Sequence, residues 1–258
     1  MRRILAYTLA AAAVLTFAAG CDTADPVADG PPSVPVTPSA VPSAPSAAPS
    51  VPPTTAPPAK PKKLKSGAKG AEVVALQTRL TELGYWIGKA DGKFGGTTQQ
   101  AVYALQKAAG IGRDGTVGPK TWKALEEGVR PKAKSTSGKV IEIDLKRQLL
   151  LLVDGGQITQ IFNTSTGSND YYEHEGQTYL ADTPRGKFKV SRQIDGWRDA
   201  PLGLLWRPKY FNGGIAVHGA PSVPPYPASH GCARVSVSAM NWMWKNDALP
   251  IKSRVWVY

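Results

Sequence analysis

The chain of 258 residues holds two cysteines, three histidines and three methionines. Two cysteines, Cys21 and Cys232, are too few for a disulfide-braced scaffold, and neither has a second cysteine at metal-site spacing. Acidic side chains are also scarce, 19 Asp and Glu against 31 Lys and Arg, for a formal net charge of +12. That excess is unevenly placed. Lys60–Gly70 carries five lysines and Arg130–Lys139 four basic residues, with no acid in either. A dedicated nucleic-acid binder would spread such charge as a stripe over a folded face, so the pattern argues against that class. Basic flanks on near-neutral segments suit contact with an anionic surface such as a membrane or a cell wall.

Aromatic residues are missing altogether from Asp22 to Ala59, where twelve prolines alternate with Ser, Ala, Val and Thr. Such a stretch buries too little apolar surface to offset chain entropy and favours extended polyproline II. At about 3.1 Å per residue a stiff tether of this length reaches on the order of 100 Å. Ahead of it, Arg2 and Arg3 precede an apolar run from Ile4 to Gly20. The run is short for a stable membrane span, which needs about 20 apolar residues, and has the pattern of a secretory signal. It ends Ala18-Ala19-Gly20-Cys21, which resembles the lipobox of bacterial lipoproteins, with Ala18 where Leu is usual. The resemblance implies a signal peptide over 1–20, lipidation at Cys21 and a disordered tether over 21–63. The chain beyond it then lies outside the cytoplasmic membrane, lipid-anchored to its outer face and reaching into the wall.

The first folded segment is expected over 64–129. Val73, Val74, Leu76, Gln77, Leu80 and Leu83 fall at helical spacing and stop at Gly84. A second periodic run covers Thr98–Ala109, with Ala101, Val102, Leu105 and Ala108 on one face, and a third helix fits Pro119–Glu127. Two loops, Asp91–Thr98 and Asp114–Thr121, echo one another at an offset of 23 residues. In each, Asp-Gly predicts a tight turn and the final Thr an N-cap. Together with Gly84-Tyr85, Phe94-Gly95, Gln106 and Thr121-Trp122, this half-repeat resembles the three-helix type of peptidoglycan-binding domain. For single residues such as Phe94 or Trp122, core packing outweighs ligand contact.

After a basic linker over 130–138 the apolar period changes to two. Val140–Ile143, Leu149–Val153 and Ile158–Ile161 read as strands, the last two separated by the hairpin turn Asp154-Gly155-Gly156. Further strands are expected at Gly186–Arg192, Gly214–His218 and Arg254–Tyr258, and one helix around Ser236–Asn246. The fold class is therefore multidomain, a small helical domain followed by a mostly-β domain over 139–258.

The chemistry concentrates between Ile215 and Arg234. Cys232 is a lone thiol in a domain placed in an oxidising compartment, a liability unless it is buried or used. Gly231 lets successive amides converge on one point, as an oxyanion hole requires. His218 ends a strand 14 residues earlier, and a nearby imidazole takes up the thiol proton to give a thiolate–imidazolium pair. Arg234 adds a positive charge suited to a carboxylate. Three blander readings compete. An inert core cysteine fits poorly with Ser-His-Gly before it and Arg two positions after. His218, His230 and Cys232 are zinc-ligand types but match no zinc spacing, so no metal and no cofactor is expected. A papain-like protease has its Cys before its His, the reverse of this order.

The set His218-Gly219, Ser229-His230-Gly231-Cys232 and Arg234 resembles the L,D-transpeptidase (YkuD) family. Ser165-Thr166-Gly167 and the strand entry Thr183-Pro184-Arg185-Gly186-Lys187-Phe188 agree with it. Ala233, in place of a branched aliphatic residue, and the short Pro-rich spacing from His218 to Ser229 depart from the family pattern. The resemblance implies that Cys232 attacks the bond between a diamino acid and the terminal D-Ala of a tetrapeptide stem. His218, oriented by the Gly219 carbonyl, then passes the proton on, and the amides of His230, Gly231 and Cys232 hold the oxyanion. A second stem's amine resolves the thioester into a 3→3 crosslink. Ser229 and His230 become positioning residues, Arg234 a substrate contact and peptidoglycan the partner. Carbapenems typically acylate the family. Hydrolysis of the same thioester, an L,D-carboxypeptidase activity, stays open, as does a non-catalytic wall-binding lipoprotein. The insertion Ser168–Asp182, with Asp170, Glu173, Glu175 and Asp182, is expected either to form an acidic lid or to be a solvated loop.

Overall fold

The computed structural model describes residues 62–258; the signal segment, the Pro-rich tether and Cys21 lie outside the described residues. Three helices come first: α1 (Ala71–Glu82), α2 (Gly96–Ala109) and α3 (Pro119–Glu126). The helical half-repeat is held by two buried glutamines. Gln77 Nε2 donates to Asp91 Oδ1 (3.0 Å), the Lys93 carbonyl (3.1 Å) and Thr98 Oγ1 (2.9 Å), while its Oε1 accepts from the Gly92 amide (2.8 Å). Gln106 repeats this on Asp114, the Thr116 carbonyl, Thr121 and the Gly115 amide. Each amide side chain thus clamps an Asp-Gly turn to a helix and leaves no buried polar group unpaired. The threonines are not the expected N-caps. Gly95 and Gly118 occupy those positions, and Thr98 and Thr121 sit one turn inside, buried, with their hydroxyls on the Lys93 and Thr116 carbonyls.

The β part builds two five-stranded sheets and a separate hairpin. The first sheet has the order β3-β2-β1-β12-β6, made of β1 (Lys139–Asp144), β2 (Leu149–Asp154), β3 (Gln157–Asn163), β6 (Gly186–Lys189) and β12 (Arg254–Val257). The second runs β11-β10-β9-β7, from β7 (Arg192–Gln193), β9 (Gly203–Asn212), β10 (Ile215–Ala220) and β11 (Ala233–Ser236), with β8 (Trp197–Ala200) also pairing β9. The hairpin is β4 (Tyr171–His174) with β5 (Gln177–Leu180). One helix follows, α4 (Val237–Lys245), capped by Ser236 Oγ on the Ala239 amide. The stretch expected as one strand from Gly186 to Arg192 is broken at Val190, so that β6 and β7 join different sheets.

The continuous apolar run of β2 has a physical reason: both faces of the strand are covered. Leu150 and Leu152 pack into the core shared by the two sheets and α4, with Phe162, Val217, Met240 and Met243. Leu149, Leu151 and Val153 face the other way, into the core of the three helices with Leu76, Leu80 and Leu105. Strand pairing extends across the junction, where the Trp86 amide donates to Ile161 O (3.0 Å) and the Ile161 amide to Gly84 O (2.8 Å). The Trp86 ring stacks on Phe162 at 5.7 Å. Lys107 of α2 is buried against the β part, with Nζ donating to the Gln148 and Thr164 carbonyls (both 2.9 Å) and to Asn163 Oδ1. Burial, with Arg113 beside it, pulls its amine down to about 6. The basic stretch 130–138 is docked as well. The buried Glu142 carboxylate of β1 accepts from the Lys134 and Ser135 amides and from the Tyr258 hydroxyl.

Candidate active site

Parallel pairing of β10 with β11 sets His218 opposite Arg234 and Val217 opposite Ala233. Cys232 is the last residue of the crossover loop before β11 begins, so the ladder brings thiol and imidazole to one end of the sheet. His218 does not end its strand, which runs on to Ala220. Gly219, the next residue, sits where a Cβ would meet Trp206 Cδ1 at 2.8 Å and Met240 Cβ at 3.1 Å, so only glycine lets the sheet close on α4 there.

The loop ahead of Cys232 is tied down at nearly every residue. The Ala228 and Ser229 amides donate to Thr166 O (3.0 and 2.9 Å), and the Ser168 amide donates to Ser229 O (2.9 Å). Ser229 Oγ donates to the Cys232 carbonyl (2.6 Å) and accepts from the Gly231 amide (3.0 Å). Thr183 Oγ1 donates to the Gly231 carbonyl (2.6 Å) and accepts from the Gly167 amide (2.9 Å). Gly231 holds φ +136°, and a Cβ there would lie 2.7 Å from Asp182 O. Backbone angle and close approach both demand glycine. Because its amide is spent on Ser229, Gly231 shapes the loop but offers no oxyanion donor. The His230 and Cys232 amides have no protein acceptor among the described residues.

His218 is buried and its Nδ1 lies 2.9 Å from Gly219 O. That contact requires a proton on Nδ1, which leaves the Nε2 lone pair available. Burial lowers the imidazole to about 4, against a smaller upward pull from the Gly219 carbonyl, and Arg234 lowers it further. Cys232 is half-buried, and burial pushes its thiol up despite the Ala216 amide and the Arg234 charge. Sγ accepts from the Ala216 amide (3.4 Å), contacts the Gly214 carbonyl (3.8 Å) and, among the described residues, makes no hydrogen bond to His218. Both shifts run against the expected resting thiolate–imidazolium pair and toward a neutral thiol and a neutral imidazole. The cause is desolvation, which disfavours both charged forms. Arg234 donates to Ala228 O (3.1 Å) and has no carboxylate partner among the described residues.

Cys232, His218, Ser229, His230 and Arg234 all border one cavity of about 720 Å³. The 168–182 insertion is the β4–β5 hairpin, and it presents an aromatic rather than an acidic side. Tyr172 meets the His230 ring edge-on at 4.7 Å and stacks on Tyr179 at 5.7 Å. Of the four acids that either a lid or a solvated loop would carry, only Asp182 borders the cavity, and Glu173 is turned to the Thr178 hydroxyl. Alternation along β4 sends Tyr172 and His174 to one side and Tyr171 and Glu173 to the other. Arg192 and Arg198 join Arg234 around the cavity. Sequence reasoning missed Thr183 as the support of Gly231, and it missed these two arginines, which come from β7 and β8. The signal for Thr183 was present in the Thr183–Phe188 motif; the arginines carried none.

Among the described residues one free cysteine and a buried histidine border the same arginine-ringed cavity, next to a helical domain. The chain belongs to the L,D-transpeptidase family: residues 138–257 match the L,D-transpeptidase catalytic domain, and residues 69–125 match a putative peptidoglycan binding domain. The crystal structure of an L,D-transpeptidase from Xylanimonas cellulosilytica is 56% identical, with a TM-score of 0.75 over 79% of this chain and 100% of that one. The N-acetylmuramoyl-L-alanine amidase CwlL of Bacillus licheniformis is 51% identical over 79 residues, 30% of this chain and 22% of that protein. The N-acetylmuramoyl-L-alanine amidase CwlM of Mycobacterium tuberculosis is 36% identical over 108 residues, 35% of this chain and 26% of that protein. The chain thus spans about a quarter of the length of these curated relatives.

Proposed function

We propose that the protein forms 3→3 crosslinks in peptidoglycan, with Cys232 as nucleophile and His218 as the group that carries its proton. The reading rests on one observation above others: His218 Nδ1 is committed to Gly219 O, which leaves Nε2 unprotonated, and His218 and Cys232 border the same cavity. Sγ adds to the carbonyl between the diamino acid and the terminal D-Ala as its proton passes to Nε2. The oxyanion is met by the His230 and Cys232 amides. When the C–N bond breaks, His218 returns the proton to the departing D-Ala amine and a thioester remains. An acceptor amine then attacks and gives its proton to His218, which passes it to Sγ as the C–S bond breaks, restoring the thiol. Starting from a neutral pair removes the need to bury an ion pair before substrate arrives, at the cost of a proton transfer within the reaction. Arg234 receives a stem carboxylate. Lipidation at Cys21 and the Pro-rich tether hold the enzyme outside the membrane; support for this lies in the Ala18–Cys21 sequence alone.

Product analysis tests the reading. With a purified tetrapeptide-stem muropeptide, the expected products are free D-Ala and a crosslinked dimer. D-Ala with tripeptide and no dimer would move the assignment to an L,D-carboxypeptidase. Absence of D-Ala would leave a wall-binding lipoprotein.

A further inference from the structure

A second cavity lies between the helical domain and the catalytic domain, beside the first. It encloses about 710 Å³, within the range of small-ligand sites. One wall comes from α2 and the loop after it, including Gln99, Tyr103 and Asp114; the other comes from the Pro-rich loop 221–227, including Tyr226, and from Ser238 of α4. Ala220 and Pro221 border both cavities, so the two are neighbours across a single backbone segment. From this adjacency we propose that the interdomain groove is a glycan subsite. It seats the amino-sugar disaccharide whose peptide stem enters the Cys232 cavity.

The groove is built rather than incidental. Its Pro-rich wall is pinned to α2 by Gln100 Nε2 on Val223 O (3.1 Å) and by Arg113 on Pro225 O (3.2 Å). On its far side Ser165 Oγ donates to Tyr226 O (2.7 Å). The prolines add backbone stiffness to those ties. Tyr103 is packed against Gly115, where a Cβ would come within 2.8 Å of the ring, and burial beside Asp114 and Tyr226 raises its hydroxyl. It therefore remains a donor at neutral pH. Tyr226 is 59% exposed although its backbone carbonyl is held by Ser165. Two tyrosines, a glutamine amide, a carboxylate and serine hydroxyls suit a sugar, which presents apolar ring faces with hydroxyl and acetamido edges. The wall from Gly96 to Asp114 falls within the segment that matches a peptidoglycan binding domain, and the opposite wall belongs to the catalytic domain. Neither domain alone forms the site.

The inference rests on the transpeptidase reading for what enters the first cavity, and the test separates the two. The full chain is assayed with a disaccharide-tetrapeptide and with the same tetrapeptide free of sugar. Tyr226→Ala is expected to raise the apparent KM for the disaccharide form about tenfold, a loss of about 1.4 kcal/mol, with kcat nearly unchanged. The free tetrapeptide should show no change, and Gln99→Ala should repeat the pattern more weakly. Equal effects on both substrates, or none on either, overturn the groove. Titration of the full chain with peptide-free disaccharide decides the groove independently of turnover. Binding weakened by Tyr226→Ala supports it, and absent binding or unchanged affinity overturns it. If no substrate releases D-Ala while the disaccharide still binds, the transpeptidase reading fails and the groove stands.

Discussion

Thr183 donates its hydroxyl to the carbonyl of Gly231 at 2.6 Å, one residue before the thiol. The same oxygen accepts from the Gly167 amide, so one side chain ties the strand-entry motif, the Ser165–Gly167 segment and the nucleophile loop together. Thr183→Val keeps the shape and removes both bonds. Leaving a buried carbonyl and amide unpaired costs about 1–3 kcal/mol each. A displacement of the thiol by an ångström lowers kcat by about a hundredfold. The expected result is a fall in kcat with KM close to that of the wild type and a lowered Tm. Wild-type kcat in Thr183→Val would show that the loop holds its shape without this contact.

The resting charge of the pair is open to a direct reading. Since burial raises the Cys232 thiol, its alkylation by iodoacetamide should accelerate only toward alkaline pH. A preformed ion pair would instead give a rate already at its plateau near neutral pH. His218 provides a second reading through stability. Its folded-state value near 4 lies below the ordinary histidine value, so between about 4 and 6.5 the unfolded chain binds more protons. Stability therefore rises with pH through that window and is lost as pH falls through it. His218→Gln should flatten this slope in a denaturant series. A slope unchanged by the substitution would place its origin elsewhere.

Shared packing predicts that the two domains stand or fall together. Leu149, Leu151, Val153 and Ile161 are buried by the helical domain rather than by their own sheet partners. Residues 138–258 produced alone would expose this apolar face, and aggregation or a much lowered Tm is expected. An isolated segment that melts at the temperature of the longer chain would contradict the common core. Trp86→Ala, which empties the place against Phe162, should cost the longer chain about 3–5 kcal/mol.

Much of the architecture was readable because it rests on local rules. Periodicity located all three helices and the first three strands, and Gly84, Gly110 and Asp154-Gly155-Gly156 punctuated them. The capping residues were misread as Thr98 and Thr121 because an N-cap and a buried hydroxyl one turn inside look alike in sequence; the partners that decide between them are Gln77 and Gln106, far along the chain. The ten-residue β9 was missed since Arg207, Pro208 and Lys209 break its alternation, yet Lys209 is buried with its amine on Gln193. At the site, Cys232 and His218 were conspicuous as residue types. Their charge state was not legible, because desolvation depends on walls supplied by distant strands. The double-sided burial of β2 was visible only as an unbroken apolar run, with no sign of what covered its second face.

Whether Cys232 carries the acyl group is read from intact mass during turnover of a tetrapeptide stem. The expected result is a transient adduct equal to the donor less D-Ala, mapped to Cys232 by digestion and absent from Cys232→Ala, which should also lose D-Ala release by at least about a thousandfold. D-Ala release that persists in Cys232→Ala, or an adduct on any other side chain, would contradict it.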